Sequence, residues 1–265
     1  MNSRILKRIP PAHVTRQLRQ EAYFGCAKCG NPILEYHHII PWHEINHHDP
    51  EHMIALCPTH HHEIEKLPRA SAYKVKQNPF NGLEKRFRGF LGTDKEKPTF
   101  VFGSNISLSK PNVLVIFQVP FVRYRIADGQ SLVSIFIPRS DFWPEVEIVD
   151  NDVVATVSDF WDIEFSTNYL RFRKRKGHNF FCVDLRQEHA EISGDLLIGP
   201  DRLLISPSKF SFQGVTLSHC KSGGPISFES NVRLLRPNFA MTRPQAKFFF
   251  NPLSEIDEGA IFGSA

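Results

Sequence analysis

The 265-residue chain predicts an α+β protein, with a small domain of helix, strand, strand and helix followed by an all-β domain. Three observations carry this expectation. Between Cys26 and His62 lie three of the five cysteines and nine of the thirteen histidines, so metal-binding side chains crowd into one short segment. From about residue 100, short apolar or alternating runs recur between Gly, Pro, Asp and Asn, the punctuation of strands and turns. Between these regions the chain is basic and broken by Pro79, Gly82 and Gly92, which marks a linker. The expected organisation is a first domain over 1–78, a linker over 79–99 and a β domain over 100–265.

The elements follow in chain order. "IPPAHVTRQLRQEAYFG" opens with prolines suited to a first helical turn and sets Val14, Leu18 and Ala22 on one face, with Arg16 and Arg19 off it. "ILEYHHII" is apolar and β-branched and reads as a strand, "MIALC" as a second, and "PTHHHEIEKL" as a helix with Pro58 in its first turn. Beyond the linker, "NVLVIFQV", "SLVSIFI", "EVEIV", "VVATV", "DIEF", "LRFR" and "FFCVDL" read as strands at spacings of about 8 to 12 residues, which fits a sandwich or roll. The stretch "AEISGDLLIGPDRLLISPSKFSFQGVTLSHC" also fits a β-solenoid with short rungs. The abundant Phe of "FFCVDL", "FSFQG" and "KFFFN" is first of all core material.

No stretch reaches the roughly 18 to 20 apolar residues of a membrane span, and "MNSRILKRIPPAH" lacks the apolar run of a signal peptide. A soluble, cytoplasmic protein with no membrane partner is expected. The five cysteines are odd in number and Cys182 and Cys220 lie far apart, which argues against a disulfide framework. Net charge is +4, with 15 Lys and Arg against 10 Asp and Glu in residues 1–100 and 17 against 18 in the remainder. A surplus confined to the first third suits a polyanion such as nucleic acid.

Cys26-x-x-Cys29 and Cys57-x-x-His60 are two knuckles that can bend round one tetrahedral ion. Three sulfurs and one nitrogen leave no open coordination position. The Zn2+ held there would be structural, contributing on the order of 10 kcal/mol to folding a segment with little core of its own.

With the knuckles assigned, His37, His38 and His61 remain one residue away from structural positions. Here the segment resembles the HNH endonuclease family, whose ββα-metal unit places an acid or His, then His, at the end of the first strand, Asn before the second, and His on the helix. The helix leading into C-x-x-C, then "HHIIP", "HMIALC" and "CPTHH", follow the zinc-bearing version of that pattern over roughly residues 9–67. The resemblance implies a metal-dependent hydrolase of DNA phosphodiester bonds, double-stranded DNA foremost, leaving 5′-phosphate and 3′-hydroxyl ends. It implies that His38 is the general base and that His37 and His61 ligate a second, catalytic ion, Mg2+ or Mn2+. His52 stands where the family has Asn, a departure.

The histidine chemistry is apt in its own right. Imidazole titrates near neutrality and can take the proton of an attacking water, and an ion beside it can offset charge that grows on phosphate oxygens. His43, His47, His48 and His62 match no role in the pattern and read as solvated, while Lys66 and Arg69 sit where a helix end could meet a DNA backbone. The competing reading is a non-catalytic zinc-stabilised module that binds nucleic acid or protein, favoured by the His at the Asn place. The β domain is expected to serve targeting, regulation or self-association as a homo-oligomer, and by analogy such a pairing fits phage defence.

Overall fold

The computed structural model describes residues 7–92, 99–109, 111–139 and 143–228. It is mixed α+β, mostly β with few and short helices. The "KFFFN" run and the rest of 229–265 lie outside the described residues. Among the described residues no helix is long and apolar enough to cross a membrane, and none of the five cysteines is in a disulfide.

The chain divides into two compact units, one of Met1–Leu91 with Val153–Phe180 and one of Gly92–Asp152 with Phe181–Ala265. This differs from the expected division at residues 78 and 100, because a later segment rejoins the first unit. The stretch expected as linker also carries regular structure.

The first unit begins with α1 (Ala12–Glu21), which starts directly after Pro10 and Pro11 and buries Val14 and Leu18. The chain then reverses through Tyr23 and Phe24, both at positive φ. Strands β1 (Glu35–His38) and β2 (Met53–Leu56) pair antiparallel, with His37 opposite Ile54 and His38 opposite Met53. β2 is buried along its whole length. Helix α2 (Pro58–Ile64) follows with Pro58 in its first turn, as the fixed φ of proline favours. Helices α3 (Arg69–Gln77) and α4 (Phe80–Glu84) and strand β3 (Arg86–Phe90) complete the first part. The core here is one cluster of Val14, Leu18, Ala22, Met53, Ile54, Leu56 and Ile64 with the buried cysteines.

Residues 153–180 join this unit through specific bonds. The hairpin Asp162–Ser166 with Tyr169–Arg173 carries Asp162, whose side chain is fully buried. Its carboxylate accepts from Arg19 Nε at 3.2 Å and Nη2 at 2.9 Å and from Arg173 Nη1 at 3.1 Å. Gln20 donates to the Trp161 carbonyl at 2.6 Å, and the Arg16 guanidinium lies 4.8 Å above the Trp161 ring. Burial opposes the Arg19 charge most, but Asp162 and Tyr36 together outweigh it and raise the guanidinium pKa. Phe87 of β3 packs edge-on against Phe165 and Phe172 of the hairpin.

The second unit is built mainly from antiparallel neighbours, with the parallel pairs Ala190–Ile192 on Phe100–Phe102 and Lys221–Ser222 on Ile106–Ser107 beside them. Asn112–Ile116, Val119–Ala127, Gln130–Pro138 and Pro144–Val149 pair successively, and Ile226–Phe228 adds in parallel to the first of them. A second set runs Phe181–Asp184, Ala190–Ile198, Asp201–Ser206, Lys209–Phe212 and Val215–Leu217, again antiparallel at each step. A solenoid stacks parallel rungs, so these hairpin pairings do not follow that alternative. Rings from the two sets meet, Phe210 and Phe212 each packing against Phe228.

Asp162 stands between two guanidiniums with no exposure to water. Asp162→Ala should therefore lower unfolding stability by about 3 kcal/mol, since two charges lose their shared buried partner. Urea denaturation followed by tryptophan fluorescence measures it. A loss under about 1 kcal/mol would show that the hairpin is held by packing alone.

Candidate metal centre

The first knuckle is a turn closed by the Gly30 amide donating to the Cys26 carbonyl at 2.8 Å. Gly30 adopts φ +75°, and a Cβ there would sit 2.3 Å from Asn81 Oδ1. Glycine is thus required both by the left-handed backbone and by the close approach of α4. Asn81, itself buried, donates to the Tyr23 carbonyl at 3.0 Å. The second knuckle is the start of α2, where the His61 amide bonds the Cys57 carbonyl.

These two turns bring four donors together. The Sγ atoms of Cys26, Cys29 and Cys57 and a ring nitrogen of His60 all lie within 4.8 Å of one another. His60 Nδ1 is 3.4 Å from Cys26 Sγ and 3.3 Å from Cys57 Sγ, and Cys29 Sγ is 3.9 Å from Cys57 Sγ. Bonds of about 2.3 Å to sulfur and 2.0 Å to nitrogen in a tetrahedron put donors roughly 3.5 to 3.8 Å apart. The cluster could hold a metal ion such as zinc. Burial pushes the Cys26 thiol up to about 12, so a thiolate there needs a cation to form, which a bound ion supplies.

Consecutive positions on α2 point about 100° apart, and His61 accordingly leaves the cysteines and meets His37. Their ring centroids are 5.0 Å apart. With Glu65 they form a second group whose donor atoms all lie within 4.8 Å of one another. His61 Nδ1 is 2.6 Å from Glu35 Oε2 and its Nε2 is 3.7 Å from Glu65 Oε1. Glu35 thereby fixes the ring with Nε2 facing the group, the way a carboxylate orients a metal-bound imidazole. Burial and the neighbouring His61 hold His37 well below its ordinary value, at about 4. It is a neutral donor at pH 7.

His38 points the other way, as adjacent strand residues must. It is nearly buried, at 9% exposure, and its ring meets Trp42 at 5.3 Å and His47 at 5.2 Å. Nε2 of His38 lies 3.1 Å from the His47 carbonyl. A carbonyl only accepts, so Nε2 carries the proton and Nδ1 is left with a lone pair. Burial lowers the His38 pKa most, with the charges of His47 and His48 acting in the same direction against the bond to the carbonyl.

His52 is set by the backbone, its carbonyl accepting from the Ile39 amide just past β1. Its Nδ1 is 2.8 Å from the Tyr73 hydroxyl on α3. His47, expected to be solvated, instead closes the loop, with Nε2 at 3.0 Å from the Ile40 carbonyl and Nδ1 accepting from the Asp49 amide. His48 likewise reaches the Lys7 carbonyl at 2.7 Å. His43 and His62 are exposed. Arg69 is engaged with Glu44.

Sequence reading missed Glu65, Glu35, Tyr73 and His47. Glu65 alone had a local signal, since it stands four residues beyond His61 on a helix and shares its face. The chain matches no protein-family model, no curated protein and no solved structure.

Metal analysis of the purified chain should find about one tightly held zinc, by the count of four converging donors. Cys29→Ser should lose it and unfold the knuckle segment, while the antiparallel strands of the second unit keep their far-ultraviolet signal. A zinc-free protein with that segment still cooperatively folded would contradict the assignment.

Proposed function

We propose that the chain is a metal-dependent endonuclease of the HNH type that hydrolyses DNA phosphodiester bonds. The observation that carries the reading is the pairing of two donor groups on one strand, strand and helix unit, Cys26, Cys29, Cys57 and His60 beside His37, His61 and Glu65. The first would be the structural zinc site and the second the catalytic one. Two imidazoles and one carboxylate suit Mn2+ better than Mg2+, which prefers oxygen donors and keeps its waters. An ion bound there would supply positive charge to a scissile phosphate oxygen and to the departing 3′ oxygen.

The chain's own residues do the rest. His38, with its proton held on Nε2 by the His47 carbonyl, takes the proton of the attacking water at Nδ1. Such a positioned base contributes perhaps 10²–10⁴-fold. His52, bonded to Tyr73, ties the loop over residues 39–52 to α3 and keeps the base in register. The β unit, read as two layered sheets, carries 14 Lys and Arg against 17 Asp and Glu. That balance suits regulation or self-association better than tracking a phosphate backbone. The His at the Asn place favours one other reading, a zinc-stabilised binding module without catalysis.

Supercoiled plasmid incubated with Mn2+ or Mg2+ tests the reading. Wild type should nick it, and His38→Ala should lose most of the rate without response to added metal. His37→Ala should be partly rescued at higher Mn2+. No nicking by a zinc-loaded wild type supports the binding module, and metal rescue of His38→Ala alone exchanges the two roles.

The active base is neutral, and its pKa is lowered. The acid limb of kcat/KM should therefore have its midpoint below the ordinary histidine value of about 6.5. A midpoint above it would remove His38 from the role.

A further inference from the structure

The segment that rejoins the first unit brings a charge run with it. Arg173, Lys174, Arg175 and Lys176 are consecutive, and the last three are exposed. They follow the hairpin strand Tyr169–Arg173 and form a short loop with a closed base. The Phe180 amide donates to the Phe172 carbonyl at 3.1 Å, and the His178 amide to the Arg175 carbonyl at 3.2 Å. Gly177 supplies the positive φ of the turn, and the Lys174 ammonium lies 4.3 Å above the Phe180 ring.

The first residue of the run is spent on structure. Arg173 bonds Asp162 and Glu164, Asp162 bonds Arg19, and Arg19 Nη1 donates to the Tyr36 hydroxyl at 3.2 Å. Tyr36 is the residue before His37 on β1. A continuous chain of charge-assisted bonds therefore runs from the base of the loop to the strand that carries His37 and His38. Rigid anchoring of this kind holds an exposed charge run in one place relative to a site, where an unanchored run would be solvated and free to wander.

The unit as a whole has the matching field. It carries 18 Lys and Arg against 11 Asp and Glu, whereas the other unit is net negative. The positive balance of the chain thus belongs to one unit, and this loop is its densest part.

We propose that Lys174, Arg175 and Lys176 form a loop that contacts the phosphate backbone of duplex DNA. The proposal rests on the nuclease reading above. Its chemistry is backbone positioning: ammonium and guanidinium groups meet phosphates, release counterions, and carry no base sequence.

The test is binding, separate from cleavage. Full-length protein carrying His38→Ala is titrated into a fluorescent 30-base-pair duplex without added divalent ion, and anisotropy is followed across a KCl series. Adding Lys174→Ser, Arg175→Ser and Lys176→Ser together should weaken binding about 10- to 100-fold at low salt. It should also reduce the slope of log K against log [KCl] by about 2 to 3, one step for each lost phosphate contact. Zinc content and thermal unfolding matching those of the parent show that the triple variant is folded. Lys174→Arg with Arg175→Lys and Lys176→Arg should keep the slope, and Lys209→Ser, an exposed lysine of the other unit, should leave binding unchanged. Unchanged affinity and slope in the triple serine variant overturn the loop assignment while leaving the nuclease reading intact. A loss for Lys209→Ser equal to that of the triple variant overturns it too, since bulk charge would then explain the effect. A parent that binds no duplex at all removes both.

Discussion

Two knuckles about thirty residues apart in sequence converge their three sulfurs and one nitrogen to within 4.8 Å, and the rest of the first unit depends on that convergence. From the first knuckle to the end of α2 the regular elements are two four-residue strands, a three-residue 3-10 helix (Pro50–His52) and a seven-residue helix, each too short to persist alone. Closing the knuckles fixes where α2 begins relative to β1. Because His60 points at the cysteines, its neighbour His61 is turned towards His37. The position of the second donor group is thus a geometric consequence of the first.

A second constraint acts from outside the two strands and α2. Asp162 gathers Arg19 and Arg173, and Arg19 reaches Tyr36, so β1 is braced by a hairpin more than a hundred residues later in the chain. Tyr73 does the same for His52 from α3. Side chains proposed for chemistry are in this way held by partners on several elements, which is what precise placement requires. His38, seated among Trp42, His47 and His48 and bonded through Nε2, is the clearest case.

The knuckles, the two strands and the flanking helices were legible because each announces itself within a few residues. Ligand spacing, β-branched runs, and prolines at helix starts are local signals. Asn81 and Gly82 carry a turn signature that reads as linker, yet Asn81 bonds the Tyr23 carbonyl and Gly82 leaves room for the Tyr23 ring, which would lie 2.8 Å from a Cβ. Their composition serves close packing, something only the tertiary structure reveals. The same holds for Asp162, whose partner Arg19 is 143 residues away, and for the return of residues 153–180 to the first unit. In the β half, periodicity locates many strands, but it does not encode whether neighbours pair antiparallel or stack in parallel, which only the register shows.

The central claim is that one small unit carries two distinct metal centres with different tasks. Anomalous diffraction from crystals of His38→Ala with duplex DNA and Mn2+ tests it most directly. The account predicts a zinc peak among Cys26, Cys29, Cys57 and His60 and a manganese peak among His37, His61 and Glu65, with a backbone phosphate on the manganese. Manganese absent from the second group, or DNA bound with no phosphate near it, would contradict the account.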